Sequence, residues 1–95
     1  MRQGFVYMIT NRPHGVLYTG VTSDISRRAY EHREGVIKGF TSRYGLIQLV
    51  YYETFPMVVD AIQREKNIKH WPRAWKDNLI ATMNPEWRDL YAELL

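Results

Sequence analysis

Two runs of aromatic and β-branched residues lie only five positions apart, and that spacing restricts the fold more than any other feature of the chain. Gly4-Phe5-Val6-Tyr7-Met8-Ile9-Thr10 and Val16-Leu17-Tyr18-Thr19-Gly20-Val21 both have strand composition. Asn11-Arg12-Pro13-His14-Gly15 between them is a turn cluster, so an antiparallel hairpin with a five-residue loop is expected. Thr22-Ser23-Asp24 then supplies N-cap chemistry and Gly35 a stop, which predicts a helix over 24–34. The segment 38–45 reads as loop and 46–54 as a third strand. Pro56 opens a helix to about His70, a further helix covers 72–83, and Asn84-Pro85 caps a short last one. The expected fold is α+β: a small three-stranded antiparallel sheet flanked by helices, in the order β-β-α-β-α-α-α, as one domain over residues 1–95.

A chain of 95 residues buries only about 60 to 65% of its unfolded surface. Few side chains on its apolar faces can be spared for other work. Cysteine is absent, which excludes disulfide staples, thiolate metal sites and a cysteine nucleophile together. His14, His32 and His70 are too scattered for a local zinc pattern. The net charge of +3 leans mildly toward an anionic partner. The apolar stretch from Phe5 to Ile9 is too short for a secretory signal, and nothing approaches the length of a membrane span, so a soluble cytoplasmic protein with no membrane partner is expected.

Polar residues inside apolar stripes narrow the reading further. At about 100° per residue, the first helix aligns Ile25, Ala29 and His32, with Arg28 at the edge of that face. An arginine there is paired, or lines a cleft that an anion can enter, or snorkels to the rim while His32 packs in the core. In the next helix Val58, Ala61, Ile62 and Ile68 form the stripe, and Glu65 sits in the middle of it. A carboxylate so placed has to meet a cation, either Lys69 four residues on or a metal at the floor of a cleft. Trp71, Trp75 and Trp87 are expected in the core, and Trp75, Leu79 and Met83 recur at helical spacing as packing residues. Asn84 before Pro85 is accounted for as an N-cap. Lys38, Thr41, Arg43 and Tyr44, in a loop mixing cations, hydroxyls and aromatics, suit a phosphate backbone, as they suit any solvated loop.

Taken together, these residues resemble the GIY-YIG nuclease superfamily, and within it the small stand-alone bacterial members. Phe5-Val6-Tyr7 stands for Gly-Ile-Tyr, and Tyr18-Thr19-Gly20 for Tyr-Ile-Gly. Thr22 to Arg28 with Glu31-His32 resembles the helix that carries the family's arginine and histidine. Arg64-Glu65-Lys66, followed by Ile68-Lys69 and Trp71, resembles the segment holding its metal-binding glutamate, and Asn84 to Tyr91 the tail of the small group. The resemblance implies a metal-dependent DNA endonuclease or nickase with Tyr7, Tyr18, Arg28, His32, Glu65 and Asn84 as its catalytic set. Glu65 would hold one Mg²⁺ or Mn²⁺, and Lys69 would join the loop residues in contacting DNA. With no separate recognition domain in this chain, low sequence specificity is expected. Selectivity would come from a protein partner or from the shape of a branched, flapped or single-stranded substrate, as in repair or recombination. The alternative is a non-catalytic nucleic-acid-binding module.

Overall fold

The computed structural model describes residues 2–95. Strand β1 (Gly4–Thr10) is the middle of three, flanked by β2 (Leu17–Thr22) and β3 (Gln48–Phe55), and both pairings are antiparallel. The near-continuous apolar run of β1 explains its place: every residue in it is buried, as a strand covered on both faces requires. Alternation divides the core in two. Phe5, Tyr7 and Ile9 pack with Ile25 and Ala29 of α1 (Ile25–Arg33). Val6 and Met8 point the other way, against Ala61 and Ile68 of α3 (Val58–Lys69) and Ile80 of α4 (Arg73–Met83).

Sequence logic sets the ends of α1. Asp24 caps it by accepting the Arg27 N–H at 3.1 Å, and Gly35 follows it at φ 69°, where a Cβ is disfavoured. Ile25, Ala29 and His32 are its buried residues, as the periodicity predicts. The order of strands and helices is the expected one, with two refinements. The segment read as loop contains a single helical turn, α2 (Phe40–Arg43), and the last short helix is a 3-10 turn at Tyr91–Leu94.

Three packing expectations are corrected. Ile62 is exposed rather than part of the α3 stripe. Trp75 and Met83 are exposed as well, because α4 meets the sheet along Ile80, which is one residue round from their line. Of the tryptophans, Trp87 is fully buried and Trp71 half-buried. Asn84 caps no following helix. Its Nδ2 donates to the carbonyls of Val50 at 3.1 Å and Arg88 at 2.7 Å, and its Oδ1 accepts the Arg88 N–H at 3.0 Å. The register explains why: β3 slips between Met8 and Ile9, so Val50 and Tyr51 fall on the same face and the ladder is locally broken. Asn84, with Asp89 and Leu90 on Leu49, covers backbone groups along this outer edge of β3. No helix among the described residues is long and apolar enough to cross a membrane.

Candidate active site

Tyr7 lies opposite Gly20 in the β1–β2 register, and this pairing starts the site. A Cβ on Gly20 would sit 2.5 Å from both Cζ and Oη of Tyr7. Only a bare glycine lets the tyrosine ring lie across the neighbouring strand, so the glycine after Tyr18-Thr19 is a clearance requirement. The hydroxyl so placed meets His32 from α1, with Oη 3.0 Å from Nε2. Tyr18 completes an aromatic triangle, its ring centroid 6.3 Å from Tyr7 and 6.1 Å from His32.

This small cluster is polar, buried and unfinished. His32 Nδ1 has no hydrogen-bond partner, one of only two such buried side-chain atoms among the described residues. Native interiors rarely tolerate that. Burial, and then the charge of Arg28, push His32 down to about 4, so the imidazole is neutral near pH 7. Burial pushes Tyr7 up to about 12, opposed chiefly by the Arg28 guanidinium beside its hydroxyl. Left alone, that tyrosine holds its proton.

Arg28 stands at the rim, its side chain 37% exposed. Glu31 on the next turn accepts from its Nε at 3.2 Å and also pairs with Arg27 at 3.4 Å. Arg28 therefore neither buries its charge nor escapes to solvent. It borders a polar cleft of about 220 Å³ lined with Thr22, Ser23, Asp24, Arg27 and Glu31. An anion could enter there.

Glu65 reaches the same area from the other side of the sheet, because α3 packs across β1 and β2. It is buried, and its charge adds to those that raise Tyr7. Of the two cations open to it, this structure shows Lys69, whose Nζ lies 2.9 Å from Oε2 and 5.8 Å from the Tyr18 ring centre. The Lys69 side chain is 46% exposed, so it can swing away without being dragged from a core. No group of three or more His, Asp or Glu side chains able to hold a metal occurs among the described residues. The donor set fits a Mg²⁺-like ion held by one carboxylate, with water and phosphate oxygens filling the rest of its octahedron. It does not fit an all-protein cage.

The structure thus brings together Tyr7, Tyr18, Arg28, His32, Glu65 and Lys69. Asn84 is not among them. It sits at the edge of β3, across β1 from the strand of Tyr18, with both ends of its amide engaged by backbone. It can position, but it has no group left for a substrate. Thr41 is also misplaced by sequence reasoning: it is buried and anchors α2, while Lys38, Arg43 and Tyr44 remain on the surface. Two residues that sequence reasoning does not single out belong to the site's surroundings. Glu31 is read only as the neighbour of His32 in the helix motif, without its pairing to Arg28, and Phe40 carries no local signal.

Comparison with known proteins identifies the family of the chain. Residues 3–78 match the family model described as the GIY-YIG catalytic domain. The chain is 35% identical over 81 residues to a UPF0213 protein of Staphylococcus saprophyticus, covering 85% of this chain and 98% of that one. It is 36% identical over 77 residues to a UPF0213 protein of Natronomonas pharaonis, covering 81% and 89%. The solution NMR structure of a UPF0213 protein from Bacillus halodurans is similar to it with a TM-score of 0.54 and 30% identity, over 86% of each chain.

Proposed function

From the fact that this chain belongs to the GIY-YIG catalytic-domain family, we propose that it is a divalent-metal-dependent DNA endonuclease or nickase of low sequence specificity. The observation that carries the proposal is the unfinished pair: a buried Tyr7 hydroxyl on a neutral His32, with Arg28 at the mouth of an anion-sized cleft. A purely structural pair in a core this small would be expected to satisfy its last nitrogen.

Phosphodiester hydrolysis needs a nucleophile relieved of its proton, and charge held where it grows on the phosphate. Arg28 supplies the second. Its Nε is engaged by Glu31, which leaves the terminal amino groups for a fork onto phosphate oxygens. Tyr7 and His32 supply the first as a relay. In the tautomer with hydrogen on Nδ1, Nε2 accepts the Tyr7 hydroxyl proton while Tyr7 Oη takes one from the attacking water. The two pKa values set the condition for this relay. Arg28 is the second cause of the low His32 value, so a phosphate seated on Arg28 offsets that cause and makes His32 more basic as substrate arrives. Tyr18 holds the Tyr7 ring in place and offers its hydroxyl near the phosphate. A metal held by Glu65 would supply Lewis-acid stabilisation of the leaving oxygen. Lys69 would be displaced from Glu65 toward the DNA backbone, and Asn84 would act from a distance by fixing β3.

Nicking of supercoiled plasmid at low salt, with Mg²⁺ or Mn²⁺ against EDTA, tests this. Wild type should convert plasmid to open circle only with metal, and Glu65→Ala should not. Equal conversion by both proteins, or binding without conversion by either, would overturn the reading.

A further inference from the structure

Beyond the catalytic cluster, the aromatic rings continue outward. The Tyr18 ring centre is 6.4 Å from Phe40, and Phe40 is 4.8 Å from Tyr44. Burial falls along this track, from Tyr7 in the core through half-buried Tyr18 to Phe40 at 49% and Tyr44 at 45% exposure. Phe40 and Tyr44 flank a single helical turn that contributes only Thr41 to the interior, so the two rings do not serve the core. Fold stability alone gives no reason to keep two half-exposed aromatic rings side by side there.

Cations accompany the rings. The Arg43 guanidinium lies 5.8 Å from the Tyr44 ring centre, and Lys69 stands the same distance, 5.8 Å, from Tyr18. Lys38, Phe40, Arg43 and Tyr44 line one open cleft of about 630 Å³. Neither Lys38 nor Arg43 has an ion-pair partner among the described residues, as is also true of Arg2, Arg12, Lys66 and Lys76, but only these two share a cleft with exposed aromatic rings. Exposed aromatic faces interleaved with unpaired cations form the surface that takes an unpaired nucleotide, with its base on a ring and its phosphate on a cation. A base-paired duplex keeps its base faces stacked on one another and cannot use the rings.

We propose that α2 is a base-stacking arm, in which Phe40 and Tyr44 hold an unpaired nucleotide beside the Tyr7–His32 site while Lys38 and Arg43 hold its phosphates. This rests on the nuclease reading for what happens at the site, but the binding it describes needs neither metal nor cleavage. The arm selects single-stranded or flapped nucleic acid over duplex, which sharpens the substrate class.

The test is fluorescence anisotropy in EDTA, with a labelled thymidine oligomer, the matching uridine oligomer and a blunt duplex of equal length. Wild type should bind the single strands more tightly than the duplex. Phe40→Ala and Tyr44→Ala should each weaken single-strand binding by about tenfold and leave duplex binding unchanged. Phe40→Leu, which keeps apolar bulk without a ring, should behave as Phe40→Ala does. Trp75→Ala, which removes a still more exposed ring on α4, should change nothing. The two oligomers assign the sugar. Photocrosslinking of wild type to an iodouracil-substituted oligomer should map to Phe40 or Tyr44, independently of how any variant folds. Equal loss on duplex and single strand, no loss on either, or crosslinks confined to other segments would overturn the proposal. Because cleavage is read separately with metal and Glu65→Ala, a failed arm and a failed nuclease give different results.

Discussion

Two polar clusters sit on opposite faces of the same three-stranded sheet, and they are built on opposite principles. On the α3 side, Glu53 accepts both Nε and a terminal amino group of Arg64, at 3.0 and 2.9 Å, and also the Tyr51 hydroxyl. Burial pushes Glu53 up, but the hydrogen bonds from Arg64 and Tyr51 outweigh it and hold the carboxyl below its ordinary value. Burial and then Glu53 drive the Tyr51 hydroxyl well above the usual range. Arg64 also stacks 5.1 Å over Trp71. That cluster is saturated. On the α1 side, Tyr7 and His32 share one hydrogen bond, His32 Nδ1 has none, and Arg28 keeps free donors at a cleft. Closed polar networks hold a fold together, whereas an open one at a cleft keeps its capacity for a ligand.

The contrast can be broken by substitutions that should separate activity from stability. Arg28→Ala should have the largest effect, lowering the cleavage rate about a thousandfold, roughly 4 kcal/mol of barrier. Its melting temperature should stay within a degree or two of wild type, because the side chain already stands at the surface. A nicking time course beside a thermal melt checks both.

Next comes a pH effect on folding. His32 is depressed from 6.5 to about 4, so the unfolded chain takes up a proton that the folded protein resists. The stabilisation is whole above pH 6.5 and is lost as pH falls toward 4, by up to about 3 kcal/mol. Urea unfolding at a series of pH values should show this decline, and His32→Phe should flatten it.

Glu53→Ala inverts the Arg28 result. Removing the shared acceptor strands Arg64 and Tyr51, at a cost of about 2 kcal/mol in stability. Activity per folded molecule should persist, as denaturant titration combined with nicking would reveal. Gly20→Ala should be smaller in stability, about 1 to 2 kcal/mol, because Tyr7 must move to admit the methyl group. Unlike Glu53→Ala, it should also reduce cleavage, by about tenfold. A Gly20→Ala protein that lost stability alone would weaken the assignment of Tyr7 to the site.

The sequence made the site side of this comparison legible and hid most of the other. Hairpin spacing placed Tyr7 beside Tyr18, helical periodicity turned His32 inward with Arg28 at its edge, and Glu65 stood out because a carboxylate is costly in an apolar stripe. Each of those signals is local. The role of Asn84 was not, since it depends on a register slip at Val50, 34 residues away. Periodicity also gives the direction of a stripe without saying which edge meets the sheet, so Trp75, Met83 and Ile62 read as core and stand exposed. α2 was invisible because one helical turn has no period to detect. Its Phe40–Tyr44 ring pair exists only once that turn forms.

The most direct test removes one oxygen atom. Tyr7→Phe keeps the ring that Gly20 makes room for and deletes the hydroxyl that meets His32. With metal present, plasmid nicking should fall by about a hundredfold or more, the range of a lost general base. The thermal midpoint should fall by about 5 °C, since the buried His32 Nε2 loses its partner on a ring whose Nδ1 already has none. Wild-type nicking per folded molecule by Tyr7→Phe would contradict the central claim that the open cluster is the catalytic one.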